Sequence, residues 1–178
     1  MKPDLNPAHI DRICDLKIGS SHKANTILVL LGEVPATVID LYKGNDSPQK
    51  VQEALRAINL YPVREEVLRG SPNHIGALVV AQVKRTANLF HHAIHRSDTR
   101  LIGMYWGLPE TAAVAYATKR GLLQKRSYPE DMIDNPLGFD LSEAGQHEEI
   151  RVIEERMATI RKHAPELYHE LYDHLLVH

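Results

Sequence analysis

Helix start and stop signals recur at short intervals along this chain and cut it into segments too brief for a long rod. Asn6-Pro7 pairs a capping residue with a first-turn proline. Gly19-Ser20-Ser21 ends the helix opened there, and Gly32-Glu33-Val34-Pro35 stops one element and starts the next. Ser47-Pro48, Gly107-Leu108-Pro109, Gly121 and Pro165 repeat the same punctuation. The longest purely apolar run, Ile27 to Leu31, is far short of the roughly 20 residues that a bilayer span needs. Met1 to Arg12 is polar and carries two prolines, unlike a secretory leader, so the expectation is a cytoplasmic protein with no membrane partner.

Between these signals the apolar residues mostly repeat with the helical period. Helices are expected at Pro7 to Leu16, Ala36 to Lys43, Gln49 to Ile58 and Lys84 to His95, and at His22 to Leu31, where the apolar run also fits a buried strand but the stop signal after it favours a helix. Further helices are expected from Ser97 or Asp98 to Tyr105 or Trp106, from Glu110 to Arg120, from Ser142 to His163, and onward from Pro165. The best strand signal is Val63, Glu65 and Val67 alternating with Arg64, Glu66 and Leu68. A turn cluster, Gly70-Ser71-Pro72-Asn73, and a β-branched stretch, Ile75 to Val83, come after it. That pattern predicts a small β-hairpin near residues 63–82, although Ile75 to Ile94 also fits one long helix. The expected fold class is therefore mainly α with a minor β component, in a single-domain helical assembly.

With 178 residues, 43% hydrophobic and 25% charged, the chain can bury its own core. Ser127 to Gly138, with two prolines, reads as an internal linker. The expected division is a helical body with the hairpin at 1–138 and a C-terminal helical hairpin at 139–178. Its stripe of Leu167, Leu171 and Leu175 would pack on the body or on a second subunit, making a homo-oligomer through the C-terminal helices.

A faint internal echo links Ile27 to Tyr42 with Leu101 to Tyr116. Each runs apolar helix, glycine, hydrophobe, proline, threonine two later and tyrosine seven later. Read as a duplication, it predicts two helical corners packed about a pseudo-twofold axis with a cleft between them. Tyr42, Tyr105, Trp106 and Tyr116 stand at these corners, where aromatic side chains can line a small-ligand pocket.

The densest ligand-bearing group is His91-His92-Ala93-Ile94-His95, followed by Asp98. On a helix, His91 and His95 lie one turn apart on one face and can grip a divalent metal, with a carboxylate such as Asp98 completing the set. No glutamate follows the first histidine, so this is not the zinc-protease motif. Glu166 and His169 have the spacing of a di-iron bundle pair, but no second Glu-x-x-His accompanies them. Residues 100–120 have the outline of a helix-turn-helix. Its second helix, Glu-Thr-Ala-Ala-Val-Ala-Tyr-Ala-Thr, is built for burial rather than for reading bases. The net charge of -2 also disfavours a nucleic-acid partner. Cys14 is the single cysteine and has no adjacent cation to favour a thiolate. Neither a Walker A loop nor a Gly-x-Ser-x-Gly elbow is present.

The functional expectation is thus a non-enzymatic interaction or small-ligand-binding protein. A metal-binding protein or metal-dependent enzyme using His91 and His95 is the alternative, and a DNA-binding regulator using residues 100–120 is the second alternative.

Overall fold

The computed structural model describes residues 6–65, 72–120 and 141–173. Among them, eight helices surround a three-stranded antiparallel sheet, a mainly α fold with a minor β component. The helices are α1 (Pro7–Cys14), α2 (Ser20–Leu30), α3 (Pro48–Arg56), α4 (Lys84–His95), α5 (Thr99–Tyr105), α6 (Glu110–Thr118), α7 (Gln146–His163) and α8 (Pro165–Asp173). The strands are β1 (Ala36–Tyr42), β2 (Tyr61–Glu65) and β3 (His74–Ala81), in spatial order β1-β3-β2. No helix among the described residues is long and apolar enough to cross a membrane.

The caps anticipated from sequence close the helix starts. Asn6 Oδ1 accepts from the Ala8 amide at 3.1 Å, Ser47 Oγ from the Lys50 amide at 3.3 Å, and Asp98 Oδ1 from the Leu101 amide at 3.0 Å. Each satisfies a donor that has no partner within its own helix.

The hairpin forms as expected: β2 and β3 pair antiparallel, Tyr61 with Ala81 through Glu65 with Ala77. The rival long helix over 75–94 is excluded, because β3 ends at Ala81 and α4 begins at Lys84. The expected helix at Ala36 to Lys43 is instead β1, paired with β3 from Ala36–Ala81 to Tyr42–His74. The physical reason is two-sided burial. Ile39, Leu41, Leu78 and Val80 enter a core formed with α1, α2, α3, α7 and α8, while Ala36, Val38, Ala77, Val79 and Ala81 enter a second core with Ala87 and Phe90 of α4. A strand buried on both faces reads as a continuous apolar run and hides its alternation. Pro62 lies on the edge strand β2, where a missing N–H is tolerated.

The echoed segments diverge. The first runs α2, turn, β1; the second runs α5, turn, α6. They are therefore not two copies of one helical hairpin. Their corners nevertheless touch. Gly107, at φ 65°, approaches the other corner so closely that a Cβ there would lie 3.2 Å from Pro35 Cδ and 2.8 Å from the Arg156 guanidinium. Arg156 of α7 donates to the Gly107 carbonyl, and a cavity of about 310 Å³ opens beside the junction between Glu33, Leu108, Pro109 and Val152.

α7 is fastened to α6 by a fully buried carboxylate. Glu149 Oε1 accepts from Thr111 Oγ1 at 2.6 Å and from Ser142 Oγ at 2.5 Å, and its Oε2 accepts from the Ser142 amide at 2.5 Å. Gly145 makes this approach attainable, since a Cβ there would collide with Thr111 Oγ1. Leu167 and Leu171 of the expected C-terminal stripe are buried in the core shared with α1 and α2. Leu175 and the linker at 127–138 lie outside the described residues.

Candidate metal centre

The second face of the sheet changes character along its length. Ala36, Ala81 and Tyr61 form one cross-strand row, and Val38, Val79 and Val63 the next. The third row is Asp40, Ala77 and Glu65, so two carboxylates flank a small apolar residue on one face. Each carboxylate meets imidazole. Asp40 Oδ1 lies 3.4 Å from Nε2 of His74. Glu65 meets two rings from α4.

α4 follows β3 after a short turn and packs back across β2 and β3, anchored by Ala87, Phe90 and Ala93. That anchoring turns His91 and His95 toward the end of β2. Glu65 Oε2 lies 3.3 Å from His91 Nε2, and Glu65 Oε1 lies 3.4 Å from His95 Nε2. The two Nε2 atoms are 3.3 Å apart, with ring planes at 68°. Glu65, His91 and His95 thus each offer one ligand atom, all within 4.8 Å of one another.

Donors bonded at about 2.0–2.1 Å to a tetrahedral zinc stand about 3.3–3.4 Å from one another. The two imidazole nitrogens have that spacing, and each faces a different oxygen of the Glu65 carboxylate, which bridges the pair of rings. Exposure rises across the group: the residue is 4% exposed at Glu65, and the side chains are 23% and 47% exposed at His91 and His95. The carboxylate is the inner anchor and the two rings are the outer rim.

The structure brings His91 and His95 together as the spacing predicts. Their carboxylate partner is Glu65, while Asp98 of the expected set sits beyond the end of α4 and uses Oδ1 to cap α5. Glu65 carried a visible sequence signal only as an alternating strand residue; its contact with α4 depends on the chain crossing from β2 through β3. His92, between the two rings in sequence, is exposed.

The aromatic candidates are distributed. Tyr105 stacks on Phe90 at 5.4 Å between centroids, and Trp106 meets the same ring edge-on at 6.4 Å. Tyr42 lies against His74 at 5.4 Å, and Tyr116 is exposed on α6. In the 100–120 segment, α5 and α6 form a packed pair whose Ala112, Ala113 and Ala115 are buried, and Arg100 pairs with Glu110 at 3.0 Å. The half-buried Cys14 has its thiol pushed up by burial, outweighing the pull of Lys23, which suits an inert thiol.

No protein-family model matches the chain, and neither a curated protein nor a solved structure is detectably similar to it.

Proposed function

We propose that this protein binds one divalent first-row transition ion, zinc being the best match, through Glu65, His91 and His95. The observation that carries the reading is the convergence of two imidazole Nε2 atoms 3.3 Å apart on the two oxygens of one buried carboxylate, at 3.3 and 3.4 Å. Two imidazole nitrogens and one carboxylate oxygen suit zinc and its neighbours in the first row better than calcium or magnesium, which prefer oxygen alone. Burial of the carboxylate at the end of β2 supports the same reading, because a divalent ion would neutralise a charge that is costly to bury.

The small-ligand reading from the aromatic corners is less well supported, because its four residues are split between Phe90, His74 and the surface of α6. The homo-oligomer through the C-terminal helices loses its main argument, since Leu167 and Leu171 are buried within the chain's own core.

Calorimetric titration with zinc tests the proposal. One ion should bind per chain, with affinity reduced at least 10-fold in Glu65→Gln, His91→Ala and His95→Ala. Asp98→Asn should bind zinc like the parent protein. Equal affinity in the three ligand variants, or loss of binding in Asp98→Asn alone, would contradict it.

A further inference from the structure

We infer that the loaded centre keeps an outward coordination position that accepts an exogenous oxyanion, the phosphate or carboxylate group of a small molecule, in competition with water. This rests on the metal reading above and adds the chemistry of what the ion would hold.

The first support is coordination number. Among the described residues the converging group supplies three donors, whereas a tetrahedral ion takes four. A tetrahedral ion held by one atom from each of the three residues has one vertex that they do not fill. Among the described residues, exposure increases from Glu65 to His95, which puts the solvent side of the group at the His95 ring. A site closed by protein on all sides would instead be of the structural type.

The second support is charge. A divalent ion with one carboxylate and two neutral imidazoles carries a net charge of about +1, which an anionic oxygen neutralises. The ligand helix strengthens that preference. α4, Lys84 to His95, contains no acidic residue, and Arg96 follows it directly. Lys84, Asn88, His91 and His95 succeed one another at helical spacing along one stripe. Lys84 stands two turns before His91, about 10 Å away along the axis. On the same stripe, it is a cation within about two turns of the site.

Cobalt provides the test, because its visible absorption bands report the number and type of its ligands. The full-length protein is loaded with cobalt, and the spectrum is followed as azide, inorganic phosphate and acetate are added in turn. Each should shift and intensify the bands saturably, and an equivalent of zinc should abolish the signal by displacing the cobalt. A cobalt spectrum matching the free aqueous ion would overturn the metal reading and this inference together. A protein-bound spectrum unmoved by all three anions would overturn this inference alone and leave the metal reading standing. A response to azide without one to phosphate or acetate would overturn the oxyanion class.

Discussion

Glu65 Oε1 and His95 Nε2 stand 3.4 Å apart, one from the end of an edge strand and the other from the last turn of the helix laid across it. The pair ties two elements that the sequence joins only through β3, so filling the site should reach beyond the local contact. At a free zinc concentration 100 times the dissociation constant, a native-state ligand stabilises by about 2.7 kcal/mol. Urea denaturation of the parent protein should show a zinc-dependent gain of that size. His95→Ala, binding at least 10-fold more weakly, should gain no more than about 1.4 kcal/mol at the same zinc concentration, and a gain equal to the parent's would place the ion elsewhere.

The buried Glu149 predicts a graded loss of stability. Thr111→Val removes one hydrogen bond to a charged group and should cost about 1.5–3 kcal/mol. Glu149→Ala leaves Thr111 and two donors of Ser142 without their acceptor, so it should cost more than Thr111→Val. Gly145→Ala should also destabilise, by about 1–3 kcal/mol, because its methyl group collides with Thr111. Chemical denaturation of the three variants reads this order directly.

Asp46 predicts an acid-dependent term. Its carboxylate accepts from Lys50 Nζ at 2.7 Å and from the Lys17 amide at 2.9 Å, and these bonds hold it below the usual carboxylate range. A folded-state value below the unfolded one, about 3.9, means the stabilisation is fully present above that pH and is lost as pH falls through the folded value. Asp46→Asn should therefore cost about 1 kcal/mol near neutrality. The difference from the parent should close progressively below about pH 4. A gap that persists into strong acid would show that the charge is not its source.

His74 makes an opposite prediction. Its ring is buried beside Asp40, yet Nδ1 and Nε2 have no hydrogen-bond partner among the described residues, and the 3.4 Å contact is too long for a strong bond. Removing such a ring forfeits little. His74→Leu should change stability by less than about 1.5 kcal/mol, well below the loss in Glu149→Ala. A larger loss in thermal unfolding would mean that the pair with Asp40 is a substantial stabilising contact.

Local chemistry made much of this legible in the sequence. Caps at Asn6, Ser47 and Asp98, the hairpin over β2 and β3, and the shared face of His91 and His95 all derive from spacings of a few residues. β1 was hidden because Ala36 to Tyr42 is buried on both faces and comes after a proline that resembles a helix start. The third member of the converging group, Glu65, was hidden for a different reason. Asp98 is near the histidines in sequence, but its oxygen is taken by the Leu101 amide, while Glu65 arrives through the pairing of β2 with β3. The echo between 27–42 and 101–116 marked two corners that do meet, though one leads into a strand and the other into a helix.

X-ray absorption at the zinc edge of the loaded protein reads the ligand set itself and so decides between a Glu65, His91 and His95 centre and any other. Two imidazoles and light oxygen donors at about 2.0–2.1 Å are expected, falling to one imidazole in His95→Ala. A sulfur shell near about 2.3 Å, which would implicate Cys14, or an unchanged imidazole count in that variant, would contradict the proposed centre.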